Sequence, residues 1–358
     1  MMAFHISWTY IVGELTGNNS QVDRVWPLLP PMYTAYYAFL PLLPFAPQDV
    51  KEAGLNHRVL LMFALQLLWM TRLLYHASRR GFFKWDEEDY RWPILRGIIP
   101  APIYHVFHLV FIAAMQNGIL YGLAYPTYLA LRNPNTPLGG YDALLTGLAV
   151  VDILIEAIAD NQQYSFQTFK HSKPRVQKPP SEEPLFVSQR WTEDEANRGF
   201  VTRGLWAWSR HPNFTAEQTF WWLMVLFPIL TGPGSLDLPS SESILSPSTY
   251  TSYAAFWSTY ASLEPLWPGV VISMLFLGST AFTEWITKGK YRVAYTAYQE
   301  RVGMFWPTGT LFKGLYLQAT GRRRVIDNLV WGSVKATNGS TNGVTNGVTN
   351  GVNGAKGH

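Results

Sequence analysis

Cysteine is absent from all 358 residues. That excludes disulfides, thiolate nucleophiles and thiolate-held metals, and leaves the compartment open. Charge is scarce as well: 15% of the chain is Asp, Glu, Lys or Arg, against about 25% in ordinary globular domains. Lys and Arg are missing altogether from residues 232–266. The first residues, MMAFHISWTY, carry no basic stretch ahead of an apolar core, so no cleavable signal peptide is expected. Aromatic residues, by contrast, are plentiful, with 15 Trp and 19 Tyr in a chain that is 48% hydrophobic. Little charge and many indole and phenol rings are the composition of a membrane protein with aromatic belts.

Apolar runs alternate with polar ones along the chain. Residues 26–47 are apolar but interrupted by Pro30, Pro31, Pro41 and Pro44, which reads as a kinked span. Residues 57–76 are long enough to cross a hydrocarbon core of about 20 residues, with Arg72 near the end, where its guanidinium can snorkel to the headgroups. Residues 98–131 read as one long tilted helix, and 141–159, 217–231 and 267–286 as further spans. The stretches 77–97, 161–214 and the chain after 287 are basic, whereas 132–140 and 232–266 are nearly free of positive charge. By the positive-inside rule the basic set faces the cytosol. The expected fold is therefore all-α, a polytopic membrane helix bundle of about six transmembrane helices with a cytosolic C-terminus. Three segments follow: an N-terminal segment 1–22, a transmembrane domain 23–318, and a tail 319–358 that is basic and then low in complexity. The TNG and TNGV repeats from Thr337 onward have little to bury and are expected to stay unfolded.

Chemistry concentrates in three places. In Ser209–Glu217, SRHPNFTAE, Arg210 is a permanent cationic fork and His211 can titrate. Asn213 offers an amide, and Glu217 stands a turn inside an apolar helix. An ionisable group at membrane depth is a functional-site hypothesis by default; in its acid form Glu217 could donate to a carbonyl. The bland alternative is a capped helix start at the headgroups. Second, Glu156 and Asp160 are four residues apart, so they share a helix face, beside Asn161, Gln162 and Gln163. They could meet the polar groups of a cofactor or form a solvated helix end; two carboxylates without a histidine in the run do not suggest a metal, and none is expected. Third, Tyr291, Tyr295 and Tyr298 recur at helical spacing near Lys290 and Arg301. This is either an amphipathic helix on the membrane surface or a lid over a cytosolic pocket. Asp23, Arg72 and the charged run 86–91 could pair with one another, and His105 and His108 could line a pocket or bond within the bundle.

Together, Asp160 with Gln162, GLWAWSRHPNF followed by Glu217, and Lys290, Tyr291, Tyr295, Tyr298 and Pro307 resemble the membrane family whose C-terminal domain is like that of steroid 5-alpha-reductases. VDR.W at Val22–Trp26, W..RLLYH at Trp69–His76 and EEDYR.P at Glu87–Pro93 resemble its uncharacterised fungal and bacterial branch. The resemblance covers residues 20–318 and departs at Arg292, where the family pattern has proline. It implies NADPH reached from the cytosolic side and reduction of a carbon–carbon double bond in a lipid-like or steroid-like enone. Under it Glu217 and Tyr291 are the catalytic candidates, and Asp160, Gln162, Arg210, His211, Asn213, Lys290 and Tyr295 the cofactor contacts. The implied partners are the lipid bilayer, with the endoplasmic reticulum as the membrane the enzyme class suggests, and a hydrophobic small-molecule substrate; no nucleic acid is expected. Membrane methyltransferases of the isoprenylcysteine and phospholipid type share the Arg-His-Pro turn, a glutamate before the last helix (here Glu284) and the tyrosine stripe, and would make the cofactor S-adenosylmethionine. A non-catalytic lipid-binding protein is the third reading.

Overall fold

The computed structural model describes residues 1–179, 181–187, 190–231, 246–252 and 263–332. The repeats after Thr337 and most of the 232–266 loop lie outside them. Among the described residues there is helix and no strand, so the fold is all-helical. The chain divides into two compact units, Met1–Tyr164 with His211–Trp285, and Ser165–Arg210 with the described part of Ile286–His358.

Three helices are long and apolar enough to cross a membrane by length and composition: His57–Arg79, Ala101–Arg132 and Glu264–Lys290. The Leu29–Phe39 helix has 11 residues, about 16 Å at 1.5 Å per residue, which is too short to cross alone. Its prolines sit at the first turn, where a missing N–H costs nothing. The 98–131 stretch is a single run with internal breaks: Ala101–Phe107, a π-helical segment His108–Met115, Gln116–Gly122 and, past a turn, Tyr125–Arg132. The Gly140–His171 helix is 32 residues long, so the chain from 161 to 171, expected as loop, continues the helix instead.

In the first unit the His57–Arg79 helix starts on Asn56, whose side chain accepts from the N–H groups of Arg58 and Val59. This satisfies two of the donors every helix start leaves open. Asn56→Ala is expected to lower stability by about 1 kcal/mol, readable as a small shift in a detergent unfolding curve. The helix turns Val59, Met62, Leu65 and Trp69 into a core that also holds Ile112, Leu120, Ala149, Phe220 and Met224. Trp69 stacks on Phe220 at 6.0 Å and meets Trp221 edge-on at 5.0 Å. Next to this core Arg58 forks onto Asp142 at 2.7 and 3.0 Å, both side chains buried. Gly122 lies under the Trp267 ring: a methyl group built there would sit 2.0 Å from the indole edge, so only glycine admits the contact. The Glu264–Lys290 helix, in contrast, leaves Val270, Met274, Leu277 and Trp285 exposed, the face a lipid-contacting helix presents.

The second unit has two small cores. Phe166, Phe169, Trp191, Ala196, Val201 and Trp206 form one. Beside it the Glu193–Arg198 helix starts on a reciprocal capping box between Thr192 and Glu195 and stops at left-handed Gly199. The other joins Tyr295, Tyr298 and Val302 to Leu317, Ile326 and Val330. Ile326 and Val330 belong to the helix Arg323–Trp331, so the start of the basic tail is folded rather than loose.

Candidate functional site

The densest chemistry lies in the first unit, around Arg72. The guanidinium does not snorkel. It is buried, and its two Nη atoms take three carboxylates from two other helices: Glu156 at 2.8 Å, Asp160 at 2.9 Å and Glu217 at 3.2 Å. Helical spacing brings this about. Trp69, Arg72 and His76 fall on the inward stripe of the His57–Arg79 helix. Glu156 and Asp160 share the face of Gly140–His171, as their four-residue spacing requires. Neither is a solvated helix end, since both are buried.

Glu217 is held from every side. Its Oε1 accepts from the Trp221 indole one turn on, at 2.9 Å, and its Oε2 from the Trp69 indole at 2.9 Å as well as from Arg72. Asp160 accepts from Arg72 on Oδ2 and from the Asn213 amide on Oδ1, at 3.1 Å. His76 Nδ1 stands 4.0 Å from Asp160 and 2.7 Å from an Arg79 nitrogen. His211, beside Asn213 in sequence, places Nε2 2.9 Å from Glu284. Around this network several buried polar atoms have no hydrogen-bond partner among the described residues: Asn213 Oδ1, Glu156 Oε2, Asp152 Oδ2 and Arg72 Nε. Unpaired buried polar atoms are costly. Their clustering beside three carboxylates and one guanidinium marks a place able to accept donors or a cation.

The candidates from sequence divide between the units. Asp160, Gln162, His211, Asn213 and Glu217 lie in the first, and Arg72 ties Asp160 to Glu217 and, through Asp160, to Asn213. Gln162 is buried. In the second unit, Arg210 is buried and its guanidinium donates to the Gln299 and Val302 carbonyls, with its backbone N–H on the Gly303 carbonyl at 2.9 Å. It is fastened to the chain as well as charged. Lys290 is exposed. Tyr291 covers Gly199. Tyr295 and Tyr298 do not lie on a surface: both are buried, against Phe200 at 5.0 and 5.3 Å. Arg301 pairs with Asp327 at 2.8 Å rather than facing outward. Nearby, Arg198 donates to the Gly332 carbonyl at 2.7 Å, and burial lowers its guanidinium from the ordinary value while Glu195 and Asp194 oppose that.

Two other expectations change. Asp23 does not pair with Arg72: it accepts from the Trp92 indole at 2.9 Å, and burial, reinforced by Asp89, pushes its carboxyl up to about 6. His105 and His108 both turn Nδ1 onto one carboxylate, Glu14, at 2.8 and 2.6 Å, so they bond within the unit. Of the groups that build the site, sequence reading quoted Trp69 in a family motif without giving it a role, and misplaced Arg72. Trp221 carried a signal, four residues after Glu217, as an i,i+4 pair.

Residues 9–266 match the family described as a protein of unknown function, DUF1295, and the chain belongs to that family. It is 35% identical over 301 residues to an uncharacterized protein of Schizosaccharomyces pombe, covering 83% of this chain and 74% of that one. No solved structure matches.

Proposed function

We propose that this DUF1295 member is a membrane-embedded NADPH-dependent reductase of a carbon–carbon double bond in a lipid-like or steroid-like enone. The observation that carries the reading is Glu217, fixed inside an apolar core by Trp69, Trp221 and Arg72. It stands in the sequence motif that resembles steroid 5-alpha-reductase-like domains. The membrane setting, from three apolar helices, agrees with a hydrophobic substrate.

NADPH, when bound, supplies a hydride. A carboxamide such as that of nicotinamide has two N–H donors, and Asn213 Oδ1 and Glu156 Oε2 are buried acceptors without donors among the described residues, which suits that end of the cofactor. Glu217 would polarise the substrate carbonyl by donating a proton in a hydrogen bond. Charge developing on that oxygen is stabilised most where donors are fixed in advance and water is excluded. With both oxygens now accepting, Glu217 takes this role only in its acid form, with the carbonyl replacing one of its three present donors. Arg72 and Asp160 would act as positioning residues.

One observation favours a second reading, methyl transfer from S-adenosylmethionine. The His211 to Glu284 contact at 2.9 Å joins the Arg-His-Pro turn to the glutamate that the methyltransferase resemblance singles out, and a surplus of carboxylates over Arg72 suits a cationic cofactor. Thermal shift of detergent-purified protein with NADPH, NADH and S-adenosylmethionine separates the readings, because a ligand of the native state raises its apparent stability. Stabilisation by NADPH, with enone turnover lost in Glu217→Gln and NADPH stabilisation kept, is the expected result. Stabilisation by S-adenosylmethionine alone would transfer the proposal to methyl transfer, and no response to any would leave lipid binding without catalysis.

A further inference from the structure

The second unit carries an apolar face that its own core does not use. The Pro307–Ala319 helix has two sides. Thr310, Gly314 and Leu317 point inward and are buried. At 100° per residue, Leu311, Leu315, Phe312 and Tyr316 fill a contiguous arc on the other side, and they are 53%, 66%, 72% and 63% exposed. Side chains of this size so open to solvent, in one stripe, are not the scattered single exposures every surface shows. The helix contains no acidic residue, and its one lysine, Lys313, is turned back onto the Gln299 and Val302 carbonyls. Immediately after it come Arg322, Arg323 and Arg324, all exposed. Arg322 and Arg323 meet Glu300 and Asp327, and the three still leave a cationic edge at the end of the stripe.

We propose that this helix is a membrane-surface anchor: it lies in the interface of an anionic bilayer, with Leu311, Phe312, Leu315 and Tyr316 among the acyl chains and the arginine edge on lipid phosphates. The apolar arc, the absence of acidic side chains from the helix itself and the adjoining arginines together match an interfacial amphipathic helix, whose apolar side sinks about 5–10 Å into the headgroup and acyl boundary. A basic cluster at the surface adds attraction to anionic lipid. Chain continuity points the same way, since the candidate span Glu264–Lys290 ends shortly before this helix begins. Lipid is therefore present within a short reach of chain, whereas the described residues leave the arc uncovered. The inference does not depend on the reductase reading.

The lack of cysteine makes the test direct, because any introduced cysteine is unique. Full-length Phe312→Cys, Leu315→Cys and Thr320→Cys variants are spin-labelled and reconstituted into vesicles of phosphatidylcholine with phosphatidylserine. Labels at 312 and 315 should favour collision with oxygen over a water-soluble nickel relaxer and report depths of about 5–10 Å, while the label at 320 favours the nickel reagent. Vesicles without phosphatidylserine should reduce the depth at 312 and 315. Equal nickel accessibility at all three positions would overturn the proposal. So would oxidative cross-linking of Phe312→Cys into dimers in the same vesicles, which would assign the face to a second copy of the chain.

Discussion

Arg72→Met is expected to destabilise the protein by about 3–5 kcal/mol, the cost of stranding buried partners of a broken ion pair. Glu156, Asp160 and Glu217 all lose the same cation; among the described residues Asn213 still donates to Asp160 and the two indoles to Glu217, with His76 4.0 Å from Asp160. Unfolding in detergent, followed by tryptophan fluorescence, reads the loss. Glu156→Gln placed in the Arg72→Met background should return part of it, because it removes one of the stranded charges and the two sites couple. Arg72→Lys should restore the protein only partly, since one ammonium cannot reproduce a planar fork that spans three carboxylates. A methionine variant within about 0.5 kcal/mol of the parent, the range of an ordinary surface change, would mean that the network contributes nothing to holding its helices.

Gly199→Ala is the second large effect, and it has two parts. Gly199 ends the Glu193–Arg198 helix at φ +94°, a left-handed conformation that costs a non-glycine residue about 1–2 kcal/mol. Its missing side chain is also where the Tyr291 ring sits: a methyl group there would lie 2.1 Å from the ring, and crowding of that kind costs about 1–3 kcal/mol. Lys170 holds the same spot from another direction, donating to the Gly199 carbonyl at 2.9 Å with its ammonium 5.6 Å from the Tyr291 ring centre. Tyr291→Ala in the Gly199→Ala background should therefore recover the crowding part alone. Full recovery would assign the whole effect to packing, and no recovery would place it in the backbone.

Much of this was legible in one dimension. Carboxylates inside apolar runs stand out whatever the fold, so Glu217, Glu156 and Asp160 could be singled out from sequence. The helix face shared by Glu156 and Asp160 followed from their spacing. What joins them could not be read, because Arg72 lies 88 residues from Asp160 and 145 from Glu217. An arginine near a helix end has the same local pattern whether it snorkels or turns inward. The tyrosine stripe shows the same limit. Its period marked a helix, but the burial of Tyr295 and Tyr298 depends on Phe200, which no local pattern connects to it. The surface role suited to that stripe falls instead to the next helix, whose apolar face is recognisable only once its buried side is known. The six-span topology rested on hydropathy and loop charge, and three helices have the length and apolarity to cross a membrane.

The order in which the chain is made gives the Arg72 network a time axis. Synthesis proceeds from Arg72 to Glu156, Asp160 and finally Glu217. At about 5–20 residues per second, Glu217 follows Arg72 by roughly 7–30 s. Until Glu156 and Asp160 follow, the latter 88 residues on, the His57–Arg79 segment, long and apolar enough to cross a membrane, carries a guanidinium with none of its final partners, and an arginine at such a depth resists insertion. Stable placement of this helix therefore waits on helices not yet synthesised. The same ion pairs that hold the finished unit make its biogenesis a cooperative, late-committing event, and loss of Glu217 would be felt by a helix translated long before it.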